Sequence, residues 1–589
     1  MAQSTEADWV SRFADDVIAE SERRAPGTVT SVAGAPVVVV ASGLSPSGPI
    51  HLGNLREVMT PHLVADEIRR RGHRVRHLIS WDDYDRYRKV PAGVPGVDES
   101  WAEHIGKPLT SVPAPAGSAY PNWAEHFKAQ MIEALAELGV EYDGISQTAQ
   151  YTSGAYREQI LHAMRHRAEI DAILAQYRTK KAAPAKKPGQ GRKPVDAAEL
   201  EAEEGSGAAA EDDGSATAGS GVGYVPYKPY CADCGKDLTT VTAYDDETTE
   251  LTYTCACGHG ETVRLSEFDR GKLVWKVDWP MRWAYEGVVF EPSGVDHSSP
   301  GSSYQVGGQI VGPIFGGKQP IGPMYAFVGI SGMAKMSSSR GGVPTPGDAL
   351  KIMEPQILRW LYARRRPNQS FKIAFDQEIQ RLYDEWDALR RKVDEGTALP
   401  GDLAAYARAV GTAGGELPRT PRPLPYRTLA SVADITAGAR EQTLRILSEL
   451  DPARPLSSLD EVRPRLDRAE NWIATQVPAE QRTLVRSEPD RERLAALGES
   501  ERGALKLLVD GLDEHWSLDG LTTLVYSVPK VQAGLDPQAK PTPELKVAQR
   551  SFFALLYELL VGRDTGPRLP TLLLAVGQER VRALLGAES

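Results

Sequence analysis

The chain has 589 residues, which is too many for one hydrophobic core and predicts about three to five domains. Hydrophobic residues make up 41% and charged residues 25%, as in ordinary globular proteins, and no apolar run is long enough to cross a bilayer. The formal net charge of −11 excludes a uniformly basic surface but not local basic patches that contact RNA.

The N-terminal part predicts a strand, a loop and a helix. Its first 25 residues are polar and acidic, which predicts a cytoplasmic chain without a secretory leader. Residues 36–41 form a β-branched run typical of a buried parallel strand, and apolar residues recur at helical spacing after His51. A second strand is predicted at Val75–Trp81 and ends at Asp82 and Asp83. This order indicates a Rossmann-like α/β domain whose ligands bind beyond the carboxyl ends of its strands.

The loop between the first strand and the first helix has the residues of a phosphate site. A helix N-terminus presents backbone N–H groups and the positive end of the helix dipole to an anion. Gly53 lets a flat group approach the backbone, and His51 can donate a hydrogen bond to a phosphate oxygen. We therefore interpret residues 45–54 as part of a nucleotide site rather than as a loop with a capping histidine.

The composition changes between residues 180 and 221. Ala, Gly, Pro and Ser dominate, with basic residues in the first half and acidic residues in the second. Such a segment buries too little apolar surface to offset its ordering entropy, so we predict a disordered insert. The alternative is that its basic half contacts RNA.

All four cysteines lie close together in the sequence. Cys231 and Cys234 form a Cys-x-x-Cys pair, and Cys255 and Cys257 form a Cys-x-Cys pair beyond a β-rich stretch. Four thiolates suit a tetrahedral zinc ion with no open position, which predicts one structural zinc in a reducing compartment. His259 could replace one ligand, and four free buried thiols are the other alternative.

Two patterns follow the cysteines. Residues 312–319 have the glycine and lysine spacing of a P-loop, but they lack its Ser or Thr and contain Pro313, so we do not interpret them as a nucleotide site. Beyond Asp348 the pattern is helical, with amphipathic stripes at 375–389 and 552–560 that predict an all-α C-terminal region.

Two signatures resemble those of class I aminoacyl-tRNA synthetases. The sequence His-Leu-Gly-Asn at 51–54 resembles the His-x-Gly-His signature, and Asn54 keeps a hydrogen-bond donor in the last position. Residues 334–342 resemble the Lys-Met-Ser-Lys-Ser loop, with Lys335 at the first lysine and Ser338 at the second. Arg340 could supply the lost charge. The segments 79–91, 276–283, 290–297 and 362–368 resemble, more narrowly, class I lysyl-tRNA synthetases.

This resemblance implies a ligase that activates lysine with ATP and transfers the lysyl group to the 2′-hydroxyl of the terminal adenosine of tRNA(Lys). Magnesium would accompany the ATP, zinc would be structural, and the protein would act as a monomer. Two alternatives remain. One is a glutamyl-type class I enzyme, in which Arg282 could face the substrate carboxylate. The other is a non-catalytic relative that only binds tRNA.

The resemblance also implies roles for individual residues. The expected catalytic residues are His51, Asn54, Lys335 and Ser337. The expected ATP contacts are Pro46, Gly48, His51, Gly53, Asn54, Lys335, Met336, Ser337 and Ser338. The expected lysine contacts are Gly43, Ser45, Asp83, Trp275, Asp296 and His297, and the expected zinc ligands are Cys231, Cys234, Cys255 and Cys257.

The same reasoning divides the chain into six segments. Residues 1–179 are expected to form the first half of a Rossmann-like catalytic domain, followed by the insert at 180–221, a zinc module at 222–268 and the second catalytic half at 269–349. A stem-contact region is expected at 350–395 and an all-α anticodon-binding domain at 396–589.

Overall fold

The computed structural model describes residues 8–24, 37–178, 222–297, 301–331, 342–450, 452–540 and 542–586. Its helices are α1 (Trp9–Arg23), α2 (Leu52–Arg70), α3 (Trp123–Glu137), α4 (Gln147–Thr152), α5 (Arg157–Arg165), α6 (Arg167–Arg178), α7 (Trp275–Glu286), α8 (Ser303–Phe315), α9 (Pro346–Ile352), α10 (Pro355–Ala363), α11 (Glu378–Asp394), α12 (Pro400–Val410), α13 (Tyr426–Thr436), α14 (Arg440–Glu449), α15 (Arg465–Gln476), α16 (Arg491–Ala495), α17 (Glu499–Gly511), α18 (Leu518–Gln532), α19 (Pro543–Val561), α20 (Leu569–Val576) and α21 (Gln578–Leu584).

Its strands are β1 (Val38–Leu44), β2 (Val75–Trp81), β3 (Asp143–Ser146), β4 (Tyr227–Pro229), β5 (Thr239–Tyr244), β6 (Glu250–Cys255), β7 (Gly260–Arg264), β8 (Gly271–Leu273), β9 (Ser293–Gly294), β10 (Met324–Tyr325), β11 (Val328–Ile330), β12 (Phe371–Ile373), β13 (Gly411–Thr412) and β14 (Gly415–Glu416). The chain forms two compact units. The first comprises Met1–Ala349, Pro355–Ile373 and Val393–Leu417, and the second comprises Leu350–Glu354, Ala374–Lys392 and Pro418–Ser589.

A parallel sheet lies at the centre of the first unit. β1, β2 and β3 pair in parallel, in that order. On the other side of β1, the N–H of Ala41 donates to the carbonyl of Phe290 (2.8 Å), and the N–H of Glu291 donates to the carbonyl of Ile321 (3.0 Å). Residues near 290 and 321 therefore extend the parallel order. The mixed α/β class with a parallel sheet, predicted from the sequence, is confirmed.

The bounds of the first elements follow the sequence pattern with one difference. β2 has the predicted bounds, and α2 begins directly after His51. β1, however, extends beyond the predicted 36–41 to Leu44, because Gly43 and Leu44 continue to pair with β2. Gly43, which lies beyond the predicted run, is thus inside the strand.

Helices cover both faces of this sheet. On one face α2 packs against β1, where the Ser42 hydroxyl donates to the backbone carbonyl of Glu57 (3.1 Å). On the other face Val39 and Ala41 belong to an apolar cluster with Trp279 and Trp283 of α7. The layered arrangement leaves the carboxyl edge of the strands available for a site.

The second unit is helical over its described residues. Its apolar core gathers α17, α18, α19, α20 and α21, and includes the expected stripe near residue 556. A second buried feature is Arg465, whose guanidinium donates to Glu354 (2.7 Å) and Asp387 (2.9 Å). Among all the described residues, no helix combines the length and the apolarity that a membrane span requires.

Candidate active site

His51 caps the N-terminus of α2 in a way that fixes its protonation state. Its Nδ1 accepts a hydrogen bond from the backbone N–H of Gly53 (3.0 Å), so the ring proton is on Nε2. Burial lowers the pKa of His51 to about 4. The side chain is therefore a neutral imidazole near pH 7, with Nε2–H left as a donor.

Asn54 completes the cap, since its Oδ1 accepts a hydrogen bond from the N–H of His51 (3.3 Å) and its amide group keeps two donors. The first backbone N–H groups of α2 are not free, although the sequence predicts free N–H groups at this helix end. The N–H of Leu52 donates to Pro344 (3.1 Å) and that of Asn54 to His51 (2.9 Å). Any phosphate at this helix end would thus meet mainly side-chain donors. Pro46 and Gly48 are buried in the preceding loop.

A small cavity lies next to β1, between the sheet and α7. Of the expected lysine contacts, Gly43 and Trp275 line this cavity. Ser45 is exposed in the loop after β1, and the ring of His297 lies 6.0 Å from that of Trp279, which also lines the cavity. The side chain of Asp296 lies outside the described residues.

Asp83 is buried, and its carboxylate is already occupied. It accepts hydrogen bonds from Lys128 Nζ (3.1 Å), the Ser146 hydroxyl (2.7 Å) and the N–H of Thr148 (2.8 Å). These bonds join Asp83, just after the end of β2, to α3, to the end of β3 and to α4. The carboxylate of Asp83 is therefore held by groups of the protein, and Asp83 is not among the residues that line the cavity.

Three other carboxylates gather around Gly43. A Cβ atom at Gly43 would lie 3.6 Å from Glu57 Oε1 and 3.8 Å from Asp82 Oδ2. Glu291 lines the cavity and accepts hydrogen bonds from the indole groups of Trp279 (3.0 Å) and Trp283 (2.7 Å). Sequence reasoning missed Glu57 and Glu291 as site residues.

Burial of these acids changes their pKa values. Burial and the neighbouring Glu291 carboxylate raise the pKa of Glu57 to about 8, although the N–H of Gly43 and the Tyr325 hydroxyl stabilise its charge. Burial also raises the pKa of Glu291 to about 7 and that of Asp82 to about 6, the latter against the opposing effect of Arg282. A cluster of enclosed acids with raised pKa values is suited to an added cation.

Arg282 is neutralised by its neighbours. Its Nη1 donates to Asp82 (2.5 Å) and to the Ser80 hydroxyl (3.0 Å), and its Nη2 pairs with Asp278. The guanidinium also lies 5.4 Å from the Trp275 ring. Both ends of the guanidinium fork are thus paired with carboxylates of the protein.

Lys335, Met336, Ser337 and Ser338 lie outside the described residues, as do Arg340 and the segment 180–221. Their predicted roles stay predictions. The described chain ends at Ser331, directly after β11, and resumes at Gly342.

The four cysteines come together as the spacing predicts. Their Sγ atoms all lie within 4.8 Å of one another, with 3.7 Å between Cys231 and Cys257 and 3.6 Å between Cys234 and Cys255. A tetrahedral Zn–S₄ centre has sulfur–sulfur edges of about 3.8 Å. The four thiols therefore fit a zinc ion. The alternative ligand His259 is not part of this group: among the described residues, the only cluster that could hold a metal consists of the four cysteines, and the buried Nε2 of His259 has no hydrogen-bond partner.

The parallel sheet and the capped helix N-terminus that follows its first strand agree with the α/β fold of a class I aminoacyl-tRNA synthetase. The chain belongs to this class, since its residues 7–408 match the family of tRNA synthetases class I (K).

Comparison with known proteins shows which synthetases of this class the chain is similar to. The chain is 80% identical to the lysine--tRNA ligase of Streptomyces coelicolor, over 100% of this chain and 99% of that protein. It is 34% identical to the lysine--tRNA ligase of Thermococcus kodakarensis and 32% identical to that of Treponema pallidum, in both cases over 92% of this chain and 94% of the relative. The predicted resemblance to class I lysyl-tRNA synthetases is confirmed.

Proposed function

We propose that this protein is a lysine--tRNA ligase, which forms lysyl-adenylate from lysine and ATP and then transfers the lysyl group to the 2′-hydroxyl of the terminal adenosine of tRNA(Lys). The observation that carries the proposal is the acidic group around Gly43 of β1, the strand that leads through residues 45–50 to the capped N-terminus of α2. The acids provide a site for a cation, and the side chains of His51 and Asn54 provide donors for a phosphate. The lysine--tRNA ligase relatives support the same activity.

The first step needs no covalent nucleophile from the protein. The lysine carboxylate attacks the α-phosphorus of ATP, the bond to the bridging oxygen breaks, and pyrophosphate leaves. ATP is bound as its magnesium complex. His51 and Asn54 donate hydrogen bonds to the phosphates, and Lys335 and Ser337 contribute further donors, so the rate comes from positioning and charge stabilisation.

The lysine substrate brings an ammonium group into the cavity region. Glu57 and Glu291 supply negative charge, while Trp275 supplies an aromatic face that attracts a cation. Gly43 allows the substrate to lie against β1. An ammonium in this position would favour the charged form of Glu57, which offsets the cost of the buried carboxylate.

The glutamyl-type alternative fits this geometry less well. A substrate carboxylate would need a free cation, and Arg282 is already paired with Asp82 and Asp278. It would also meet the negative charge of Glu291. The cavity therefore favours a cationic side chain over an anionic one.

The remaining parts of the chain are assigned by the same proposal. The cysteine cluster would hold a structural zinc ion, which stabilises the fold of its segment. Residues 396–589, which include the short strands β13 and β14 besides their helices, would bind the anticodon, and 350–395 would contact the tRNA stem. We further propose a cytoplasmic monomer.

The proposal is tested by exchange of labelled pyrophosphate into ATP, run with each of the twenty amino acids in turn and with and without tRNA(Lys). We expect lysine to support exchange under at least one of the two conditions. Exchange with glutamate but not with lysine would overturn the specificity, and no exchange with any amino acid would favour the non-catalytic relative.

A further inference from the structure

The buried Arg56 of α2 makes an unusual set of contacts. Its side chain is 2% exposed and donates to three backbone carbonyls, with Nη1 bonded to Ala326 (3.0 Å) and Gln369 (2.8 Å) and Nη2 bonded to Arg366 (2.7 Å). The guanidinium carbon lies 5.2 Å from the centre of the Phe371 ring. Among the described residues, no carboxylate pairs with Arg56, and burial lowers its pKa to about 10. A buried cation without an acid is costly, which calls for an explanation.

The next residue of the helix provides that explanation. Glu57 accepts a hydrogen bond from the Tyr325 hydroxyl (3.2 Å), and Tyr325 directly precedes Ala326. Two consecutive residues of α2 therefore contact two consecutive residues of the opposite segment. The N–H of Ala326 also donates to the carbonyl of Pro367 (2.9 Å), so the loop that Arg56 binds is itself bonded to this segment.

We propose that Arg56 is a positioning residue that sets lysine recognition by holding Tyr325 against the carboxylate of Glu57. This inference rests on the proposed function, because it assigns Glu57 to the substrate ammonium. Arg56 touches none of the substrate groups itself. It fixes the backbone at residue 326, so that the Tyr325 hydroxyl orients one oxygen of Glu57 and the N–H of Gly43 orients the other (3.3 Å).

The chain offers a matched control in Arg359 of α10. This arginine is fully buried, donates to the carbonyls of Leu138 (2.7 Å) and Arg408 (2.7 Å), and also has its pKa lowered by burial to about 10. Its partners do not include the segment at residue 325. Substitution of Arg359 should lower stability without changing lysine recognition.

The experiment measures the KM for lysine and for ATP in pyrophosphate exchange, together with the melting temperature. The variants are Arg56→Lys, Tyr325→Phe, the double variant, and Arg359→Lys as the control. A lysine side chain keeps the charge of Arg56 but cannot reach three carbonyls, so we expect the KM for lysine to rise about tenfold, as the loss of one good hydrogen bond would produce, with less change for ATP. If Arg56 acts through Tyr325, Arg56→Lys should add little to the KM for lysine in the Tyr325→Phe background.

The outcomes separate this inference from the function on which it rests. Absence of lysine-dependent exchange in the wild-type protein would remove the proposed function. Normal exchange in the wild type with fully additive effects of Arg56→Lys and Tyr325→Phe would overturn the role of Arg56 alone. The same holds if Arg359→Lys raises the KM for lysine as much as Arg56→Lys does. Should Arg56→Lys fail to fold, an unchanged KM for lysine in Tyr325→Phe would overturn the inference, since no contact would remain through which Arg56 could act.

Discussion

At the scale of single residues, His51 shows what a local sequence pattern can and cannot predict. From the sequence it is interpreted as a phosphate donor rather than as a capping residue, whereas the structure places it at the N-cap, with Nε2–H left as a donor. The sequence did not show that its own Nδ1 and the carbonyl of Pro344 occupy backbone N–H groups of the first turn. Contacts between residues almost 300 positions apart follow from tertiary packing, which local spacing does not encode.

The contacts of the buried acids Asp83 and Glu57 were even harder to predict from local sequence. Asp83 is predicted as an acid for the lysine ammonium, and in the structure its carboxylate accepts hydrogen bonds from three groups of the protein. Glu57 looked like an ordinary helix acid. The one available signal was its position between Leu55 and Val58 of the predicted apolar stripe, where an acid is uncommon.

The raised pKa of Glu57 predicts a pH dependence. Below a pH of about 8 the free protein holds this group largely protonated, and only the carboxylate attracts an ammonium. The KM for lysine should therefore fall as the pH rises from about 6 to about 8. In Glu57→Gln the KM should be higher and should fall less, since only Glu291, whose pKa burial raises to about 7, then titrates beside the ammonium. Exchange kinetics across this range test the prediction, and an equally pH-dependent KM in the variant would contradict it.

The same shift has a consequence for stability. Because the folded pKa lies above the ordinary value of 4.5, this group stabilises the native state fully below 4.5, and the contribution is lost as the pH rises to about 8. Glu57→Gln should therefore gain melting temperature relative to the wild type at about pH 8, and gain less at about pH 5.

Lys335 is the lysine that the second signature predicts, and it lies outside the described residues. If it contacts the triphosphate mainly as charge moves onto the bridging oxygen, Lys335→Ala should slow single-turnover formation of lysyl-adenylate by about a hundredfold at saturating ATP. ATP binding before reaction should change less. A wild-type rate in Lys335→Ala would remove this role, and a loss confined to Arg340→Ala would transfer it to that arginine.

At the scale of elements, strong periodic patterns predicted α2 and β2 well, because each buries one continuous set of apolar residues. The end of β1 was predicted three residues too early, because pairing with β2 extends the strand through Gly43 to Leu44. The P-loop-like residues 312–319 span the end of α8 and its left-handed Gly316 (φ 66°), which agrees with the decision to discount them.

The cysteine segment permits a direct test of its metal. Cys231→Ser should release zinc and lower the melting temperature, because the binding energy of a structural zinc, about 10 kcal/mol or more in isolated peptides, contributes to folding. The matched control is Asp233→Asn, an exposed position between two cysteines that keeps all four thiols. The measurements are the zinc content and the melting temperature of the purified proteins. A well-folded wild type without zinc, or equal loss of zinc in Asp233→Asn, would exclude the zinc site.

At the scale of the whole molecule, the division into two compact units does not follow the order of the chain. The expected stem-contact region 350–395 was drawn as one segment, but the chain alternates between the two units through this range. Amphipathic helices on either side of such crossings have similar patterns, so periodicity alone cannot assign them. The family match ends at residue 408, whereas the similarity to the Streptomyces coelicolor ligase covers the full chain.

The net charge of −11 is also a property of the whole molecule. It implies that tRNA binding depends on local cationic surfaces and is sensitive to salt. Lysine activation, which involves only small substrates, should depend on salt much less.

The central claim is that this protein lysylates tRNA(Lys) by class I chemistry, and the position of the ester tests it most directly. The measurement compares charging with labelled lysine of two tRNA(Lys) preparations, one ending in 3′-deoxyadenosine and the other in 2′-deoxyadenosine. We predict charging of the 3′-deoxy tRNA, which keeps its 2′-hydroxyl, and none of the 2′-deoxy tRNA. Charging of the 2′-deoxy tRNA alone, or of neither while intact tRNA(Lys) also stays uncharged, would contradict the claim.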